Sequence, residues 1–260
     1  MNNKSNQKII TDFEKLIQLV KILRSEDGCD WDKIQTSDSL VPYLIEEVYE
    51  LVDSIDKKDH KNTKEELGDI MLHLVFQAQL LKEKGLYTIN DVLENINTKL
   101  VDRHPHVFKK NSQPTTDKIN WESQKHLEKN RGSRLDGIPS ILPSIIFSQR
   151  IQEKASLAGF DWDDIEDVWL KMKEEINELK IAQEKNNLEN IHDEIGDLLF
   201  TVINLSRHFG ISAENALRKS NQKFIRRFQL LECEISDLNK TIDECSSEYL
   251  NELWDKVKNN

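Results

Sequence analysis

Glu46, Glu47, Glu50, Glu66 and Asp69 are answered 128 positions later by Glu174, Glu175, Glu178, Glu194 and Asp197. Carboxylates clustered in this way repel one another unless a cation or strong hydrogen-bond donors sit among them. An acidic chain makes Glu-x-x-Glu pairs by accident, but it seldom makes the same five-point constellation twice in one register. The repeat therefore points to a metal site, and hard oxygen ligands without Cys or His suit Mg²⁺ or Mn²⁺ better than zinc. For the segments around Glu46 and Glu174 taken alone, a solvated acidic face competes with that reading.

The elements that must hold these groups are helices. Glu46, Glu47 and Glu50 fall within one sector of about 100°, roughly opposite Ile45, Val48 and Val52. The runs that follow Glu66 and Glu194 are apolar on almost every side. These helices are therefore expected to be buried on most faces, with Asp69 and Asp197 at or near the inside. A buried carboxylate without a partner costs several kcal/mol, so it demands a cation or donors. Glu66 with Asp69, and Glu194 with Asp197, are three apart and face the same way. Gly68 and Gly196 lie between them. A mid-helix glycine costs ~1 kcal/mol relative to alanine, which suggests close approach of backbone or ligand; a helix start is the alternative.

Basic residues also recur. Lys99 and Arg103 in the first half match Lys223 and Arg227 in the second, each pair one helical turn apart. Such a pair suits phosphate oxygens, arginine offering a bidentate fork, although a solvent-exposed pair or an interhelical ion pair is the alternative. Each half closes on Trp-x-x-x-Lys, Trp121 with Lys125 and Trp254 with Lys258. Tryptophan could stack on a base while lysine meets phosphate, or it could be a core residue. Trp31 and Trp162 are read as structural. Three histidine arrangements are set aside as incidental. His104 and His106 flank a proline, Glu189 and His192 occur once, and His192-Asp193 lacks companions.

Bulk properties narrow the class. The chain has 260 residues and a formal net charge of -11, which argues against nucleic acid or an anionic membrane as the main partner. A phosphorylated substrate would likewise be repelled unless cations intervened. Cys29, Cys233 and Cys245 fit no zinc spacing and are odd in number, as expected of reduced thiols in a cytoplasmic protein. The amino-terminal segment has no signal-peptide core, and no apolar run reaches the ~18 residues of a membrane span.

Helical spacing dominates, in stripes such as Phe13, Leu16, Ile17, Val20 and Leu23, then Ile45, Val48, Val52 and Ile55, then Val202, Leu205 and Phe209. The fold class is all-α. Three of the five prolines fall between about Lys109 and Pro143, which marks a boundary. The same plan reads on either side of it. Gly-Cys-Asp-Trp-Asp or Gly-Phe-Asp-Trp-Asp precedes the acidic helix, and Glu-Leu-Gly-Asp or Glu-Ile-Gly-Asp is expected to open the next helix. This is a tandem duplication, expected as domains at residues 1–130 and 138–260.

Glu-Glu-x-x-Glu followed by Glu-x-x-Asp resembles the MazG family of nucleoside triphosphate pyrophosphohydrolases. Arg103 to Phe108, Gly159 to Trp162 and Lys223 to Phe228 are also similar to that family. The resemblance runs from about Leu16 to Lys258. It implies tandem helical domains whose four-helix-bundle cores are completed by dimerisation, hence a homodimer. It implies Mg²⁺-dependent hydrolysis of nucleoside triphosphates to monophosphate and pyrophosphate, as in nucleotide-pool housecleaning. Carried over residue by residue, it makes Glu175, Glu178, Glu194 and Asp197 metal ligands, with Glu47, Glu50, Glu66 and Asp69 at the matching positions. It gives Glu174 the task of orienting or deprotonating water. Lys223 and Arg227 would hold phosphate, and Trp254 and Lys258 would contact the nucleotide. Lys171, one turn before Glu175, could also meet a phosphate, whereas its first-half counterpart is Tyr43. This difference favours the second half as the main catalyst. The rival readings are a non-catalytic helical interaction protein, and a narrower all-α pyrophosphohydrolase of the dUTPase-like or phosphoribosyl-ATP kind.

Overall fold

Two helical hairpins with the same turn carry the two acidic sets. In the first, α3 (Val41–Asp56) runs into α4 (His60–Glu83); in the second, α8 (Ile165–Glu184) runs into α9 (Leu188–His208). The computed structural model describes residues 3–108 and 132–258, so Pro114, Trp121 and Lys125 lie outside the described residues. Lys58 and Asn186, at φ 56° and 50°, take the left-handed conformation that ends each first helix. The next amide turns back five residues, Asp59 N to Ser54 O at 2.9 Å and Asn187 N to Ala182 O at 3.3 Å. The same residues then cap the second helices. Asp59 Oδ1 accepts from Lys61 N and Asn62 N, both at 3.1 Å, and Asn187 Oδ1 accepts from Glu189 N at 3.1 Å and Asn190 N at 3.2 Å. Each turn fixes the register in which one acidic helix faces the next.

The chain divides into two units, Met1–Pro114 and Thr115–Asn260. In the first, α1 (Asn3–Leu23), the short α2 (Asp30–Ile34), α3 and α4 precede α5 (Ile89–Arg103) and α6 (Pro105–Phe108). Its core is Val20, Leu40, Val75, Phe76 and Leu80, with Phe13, Leu16, Ile17 and Leu72 packed against them. In the second unit α7 (Ser144–Leu157) packs on α9, and α10 (Ala213–Ser236) pairs with α11 (Ser247–Lys258). Leu231, Ile235 and Leu253 form the core of that pair, flanked by Ile242, Tyr249, Leu250 and Trp254. The described residues form helices, turns and irregular connections and no strand, in agreement with an all-α class. Among them no helix is long and apolar enough to cross a membrane.

Three expectations about burial are corrected. The helices bearing Asp69 and Asp197 are not buried on most faces within one chain: Asp197 is exposed and Asp69 half-buried. Leu67, Met71, Leu74, Ile195, Leu199 and Val202 are open as well, Leu199 by 59%. The stripe on α3 also points outward, Val48 being 43% exposed beside the exposed Ile45 and Ile55, while Glu47 turns partly inward. The stripe that runs along α9 to its C-cap behaves alike, with Val202 and the capping Phe209 open. Finally, Gly68 and Gly196 stand eight residues inside their helices and meet no neighbour. A Cβ at either would find nothing within 4 Å, so neither a close approach within the chain nor a helix start accounts for them. An apolar pattern shows that a face seeks cover, but not which surface supplies it.

Candidate functional site

In each hairpin three carboxylates converge. Ligand oxygens of Glu47, Glu66 and Asp69 lie within 4.8 Å of one another, as do those of Glu175, Glu194 and Asp197. Two come from the later helix, three residues apart, and one from the earlier helix facing it, as the hairpin register requires. Glu50 and Glu178 stand outside these triads, yet close enough for their charges to act on Glu66 and Glu194. Burial, then the charges of Asp69 and Glu50, pushes the Glu47 carboxyl above its ordinary range. Glu66 is raised by burial and by Glu50 and Glu47. Glu194 is raised by burial and by Glu178, Glu175 and Asp197. Both clusters are thus short of positive charge.

The second cluster has a cation at its edge, whereas among the described residues no ion pair to Glu47, Glu66 or Asp69 is formed. Lys171 Nζ lies 2.8 Å from Glu174 Oε1 and 2.8 Å from Glu175 Oε1. These bonds, that to Glu174 foremost, raise the lysine well above its usual value. Glu175 is only 3% exposed, and its second oxygen, Oε2, has no hydrogen-bond partner. A buried carboxyl oxygen left without a partner in that setting calls for a donor or a cation. In the first hairpin the corresponding Tyr43 instead meets Trp31 edge-on, ring centroids 5.9 Å apart.

A cavity of about 650 Å³ opens beside Lys171, Glu175 and Asp197. Its apolar wall includes Phe160, Trp162 and Phe200, and its polar wall Gln152, Asn204 and Arg207. Trp162, read from sequence as structural, is therefore a lining residue. Arg207 Nη1 donates to Asp161 Oδ2 at 2.8 Å, while its Nη2 meets Asp161 Oδ1 and, at 3.3 Å, Asn204 Oδ1. Burial, the largest single influence, opposes the ionised Asp161, but the hydrogen bonds from Arg207, Ser156 and the Trp162 amide, with the Arg207 charge, together outweigh it and hold the acid below its ordinary range. Sequence reasoning missed Gln152, Asp161, Asn204 and Arg207. One signal was present: from Asp197, positions 201, 204 and 207 follow the same helical face.

The other predicted contacts form a separate group. Lys223 is exposed on α10. Arg227 Nη2 donates to the Lys258 carbonyl at 3.3 Å, and Lys258 Nζ reaches Asp255 Oδ1 at 3.0 Å. Trp254 packs on Phe224 with centroids 5.1 Å apart. The structure gathers Arg227, Trp254 and Lys258 where α10 meets α11, and none of these three, nor Lys223, lines the cavity beside Glu175. Of the discounted histidines, His192 is exposed next to Asp193, and His104 Nδ1 bonds the Leu100 carbonyl at 2.8 Å.

The two hairpins coincide with a known domain. The family model for the MazG nucleotide pyrophosphohydrolase domain matches residues 35–108 and again 164–230. The Thermotoga maritima protein described as nucleoside triphosphate pyrophosphohydrolase/pyrophosphatase MazG is 45% identical over 248 residues, 95% of each chain. A nucleoside triphosphate pyrophosphohydrolase of Escherichia coli is 37% identical over 254 residues, 95% of this chain and 97% of its own. The Bacillus subtilis protein YabN, uncharacterized, is 38% identical over 260 residues, 98% of this chain but 53% of its own. Two matched segments, each holding one acidic hairpin, and full-length relatives that share them establish that the chain belongs to the MazG nucleotide pyrophosphohydrolase family.

Proposed function

We propose that the protein hydrolyses nucleoside triphosphates to monophosphate and pyrophosphate, with the second hairpin as the main catalytic site. The observation that carries this reading is Glu175: buried, one oxygen on Lys171 and the other without a partner, within a triad of carboxylate oxygens. Hard, crowded carboxylate oxygens fit Mg²⁺, with Mn²⁺ as a substitute. Glu175, Glu178, Glu194 and Asp197 would hold it, as Glu47, Glu50, Glu66 and Asp69 would in the first hairpin. When bound, the ion lowers the pKa of water and neutralises phosphoryl oxygens.

The chain's own residues supply the rest. Glu174, exposed beside the triad, accepts a proton from the attacking water and orients it towards the α-phosphorus. Lys171 bridges Glu174 and Glu175 before substrate arrives, and it is placed to turn to a phosphate oxygen once metal compensates Glu175. Lys223 and Arg227 hold the outgoing pyrophosphate, and Trp254 and Lys258 bear on the nucleotide. The first hairpin, with Tyr43 in place of the lysine, is the weaker or structural copy.

A homodimer accounts for the open apolar faces. Val48, Leu199 and their exposed neighbours lie on the helices that hold the acids, and a second copy would complete each four-helix bundle. The domains are taken as residues 1–130 and 138–260. The activity is tested by incubating the protein with each NTP and dNTP plus Mg²⁺ and separating the products chromatographically. Monophosphate with pyrophosphate is expected; diphosphate with orthophosphate, or no turnover with any divalent ion, overturns the proposal.

A further inference from the structure

We propose that Arg24 closes the first unit to nucleotide: its guanidinium fills, beside the first acidic hairpin, the place that a cavity takes beside the second. The inference rests on the pyrophosphohydrolase reading and deepens it, because it names the residues that decide which of the two hairpins admits substrate. In the second unit Glu175 and Asp197 adjoin a cavity of about 650 Å³, within the range of small-molecule pockets, about 300–1,000 Å³. Ala155, Trp162, Lys171 and Asn204 stand in its wall. The offset of 131 between Gly28 and Gly159 pairs Ala155 with Arg24 and Trp162 with Trp31. The offset of 128 within the hairpins pairs Lys171 with Tyr43 and Asn204 with Phe76.

In the first unit those four counterparts close on one another. Arg24 lies 5.3 Å above the Phe76 ring, within cation–π range, and Phe76 is only 4% exposed. Trp31 meets Tyr43 edge-on. Where the second unit places alanine and a small amide, the first places a guanidinium and a phenyl ring. Volume that stays open in one unit is taken up by packed side chains in the other.

The plug is fixed and not a gate. The Arg24 side chain is only 8% exposed. Its Nε donates to Glu83 Oε1 at 2.9 Å and its Nη2 to Glu83 Oε2 at 2.7 Å, a bidentate pair. Its Nη1 donates to the carbonyls of Asp32 and Gln35 at 2.6 and 3.2 Å. A tight turn brings those carbonyls back to the arginine. Cys29 N donates to Leu23 O at 2.9 Å, and a Cβ at Gly28 would lie 2.2 Å from that same oxygen. Gln35 is held in turn, its Nε2 on the Trp31 carbonyl at 2.9 Å and its Oε1 accepting from Ser39 Oγ at 2.6 Å. Withdrawing the guanidinium would strand the Glu83 carboxylate and leave two carbonyls unmet, so a nucleotide entering there would have to break all of these bonds.

The test uses the full-length protein with Mg²⁺ and α,β-methylene-ATP, which cannot be cleaved at the α–β bridge. Calorimetric titration reads the number of nucleotides bound per chain. Wild type is expected to bind a single nucleotide. Arg24→Ala with Phe76→Asn places the second unit's residues at both positions and should add another nucleotide, about ten- to a hundredfold weaker because Tyr43 still stands in place of a lysine. Adding Glu47→Ala to that variant should remove the added nucleotide and leave the original. A wild type that binds a pair of nucleotides per chain overturns the inference alone, as does a folded Arg24→Ala/Phe76→Asn chain that gains none, or a gain that survives Glu47→Ala. Should the double replacement fail to fold by circular dichroism, Glu47→Ala in the wild-type background decides. Nucleotide affinity within about threefold of wild type supports the plug, and a larger loss shows the first hairpin open and overturns it. A wild type that cleaves no NTP overturns the underlying activity and this inference with it.

Discussion

Replacing Lys171 by methionine should move metal affinity and nucleotide affinity in opposite directions. The lysine ammonium sits 2.8 Å from both Glu174 and Glu175, with 34% of its side chain open to solvent against 4% for Glu175. Breaking a fully buried ion pair costs about 3–5 kcal/mol. Solvent access to one partner reduces this, and about 2 kcal/mol is expected for Lys171→Met in metal-free protein, read by urea denaturation. The same lysine charge repels a divalent cation. Two unit charges about 4 Å apart interact by about 4 kcal/mol at an effective dielectric constant of about 20, and screening at the cavity mouth leaves about 1–2 kcal/mol. Titration with Mg²⁺ in the absence of nucleotide should therefore show about five- to thirtyfold tighter binding in the variant. KM for ATP should rise, because a phosphate contact has been lost. Weaker Mg²⁺ binding in Lys171→Met would refute the reasoning, since it would make the lysine a support that shapes the acidic site and not a charge that holds the place of a cation.

Glu175→Ala should lower pyrophosphate release by about a hundredfold or more, as loss of a metal ligand implies, while Glu47→Ala stays within about threefold of wild type in a coupled pyrophosphate assay. The reverse ranking would assign catalysis to the first hairpin. Glu47, Glu66 and Glu194 have raised folded-state pKa values from burial and carboxylate neighbours, so their protonation favours the fold and stability is lost as pH rises through those values. Mg²⁺ should accordingly raise Tm more at pH 7.5 than at pH 5 in scanning calorimetry of chelator-treated protein; equal shifts would contradict this. Arg24 holds Glu83 at 2.7 Å and donates to the carbonyls of Asp32 and Gln35 at 2.6 and 3.2 Å. Arg24→Ala should lose about 2–3 kcal/mol in urea denaturation near neutral pH. The Arg24 hydrogen bond depresses the Glu83 carboxyl, so that part of the stability is present above the ordinary glutamate range and fades as pH falls through the lowered value. An acid-independent loss would place the effect in packing against Phe76.

What the sequence made legible was local. Within one helix, side chains three and four apart must share a face, so Glu66 with Asp69 and Glu194 with Asp197 were readable as pairs. Their repetition marked the duplication. The turn that brings Glu47 and Glu175 opposite those pairs was less plain, because it depends on a left-handed Lys58 and Asn186 and on caps by Asp59 and Asn187. Burial was misjudged where the apolar residues outnumber the surface one chain can cover, as at Leu199 and Val48. Asp197 was therefore expected inside when Glu175 is the buried acid. The cavity was not legible because its walls come from distant stretches. Gln152 bonds the backbone of Phe200, 48 positions on, and Arg207 reaches Asp161 across 46. No helical period links such positions.

The central claim is that water attacks the α-phosphorus at the second acidic hairpin. Hydrolysis of ATP with Mg²⁺ in ¹⁸O-labelled water, followed by mass spectrometry of the products, tests it most directly. The account predicts AMP and pyrophosphate with the label in AMP, and loss of that labelled product in Glu175→Ala. Label in pyrophosphate, or ADP with orthophosphate as the products, would contradict it.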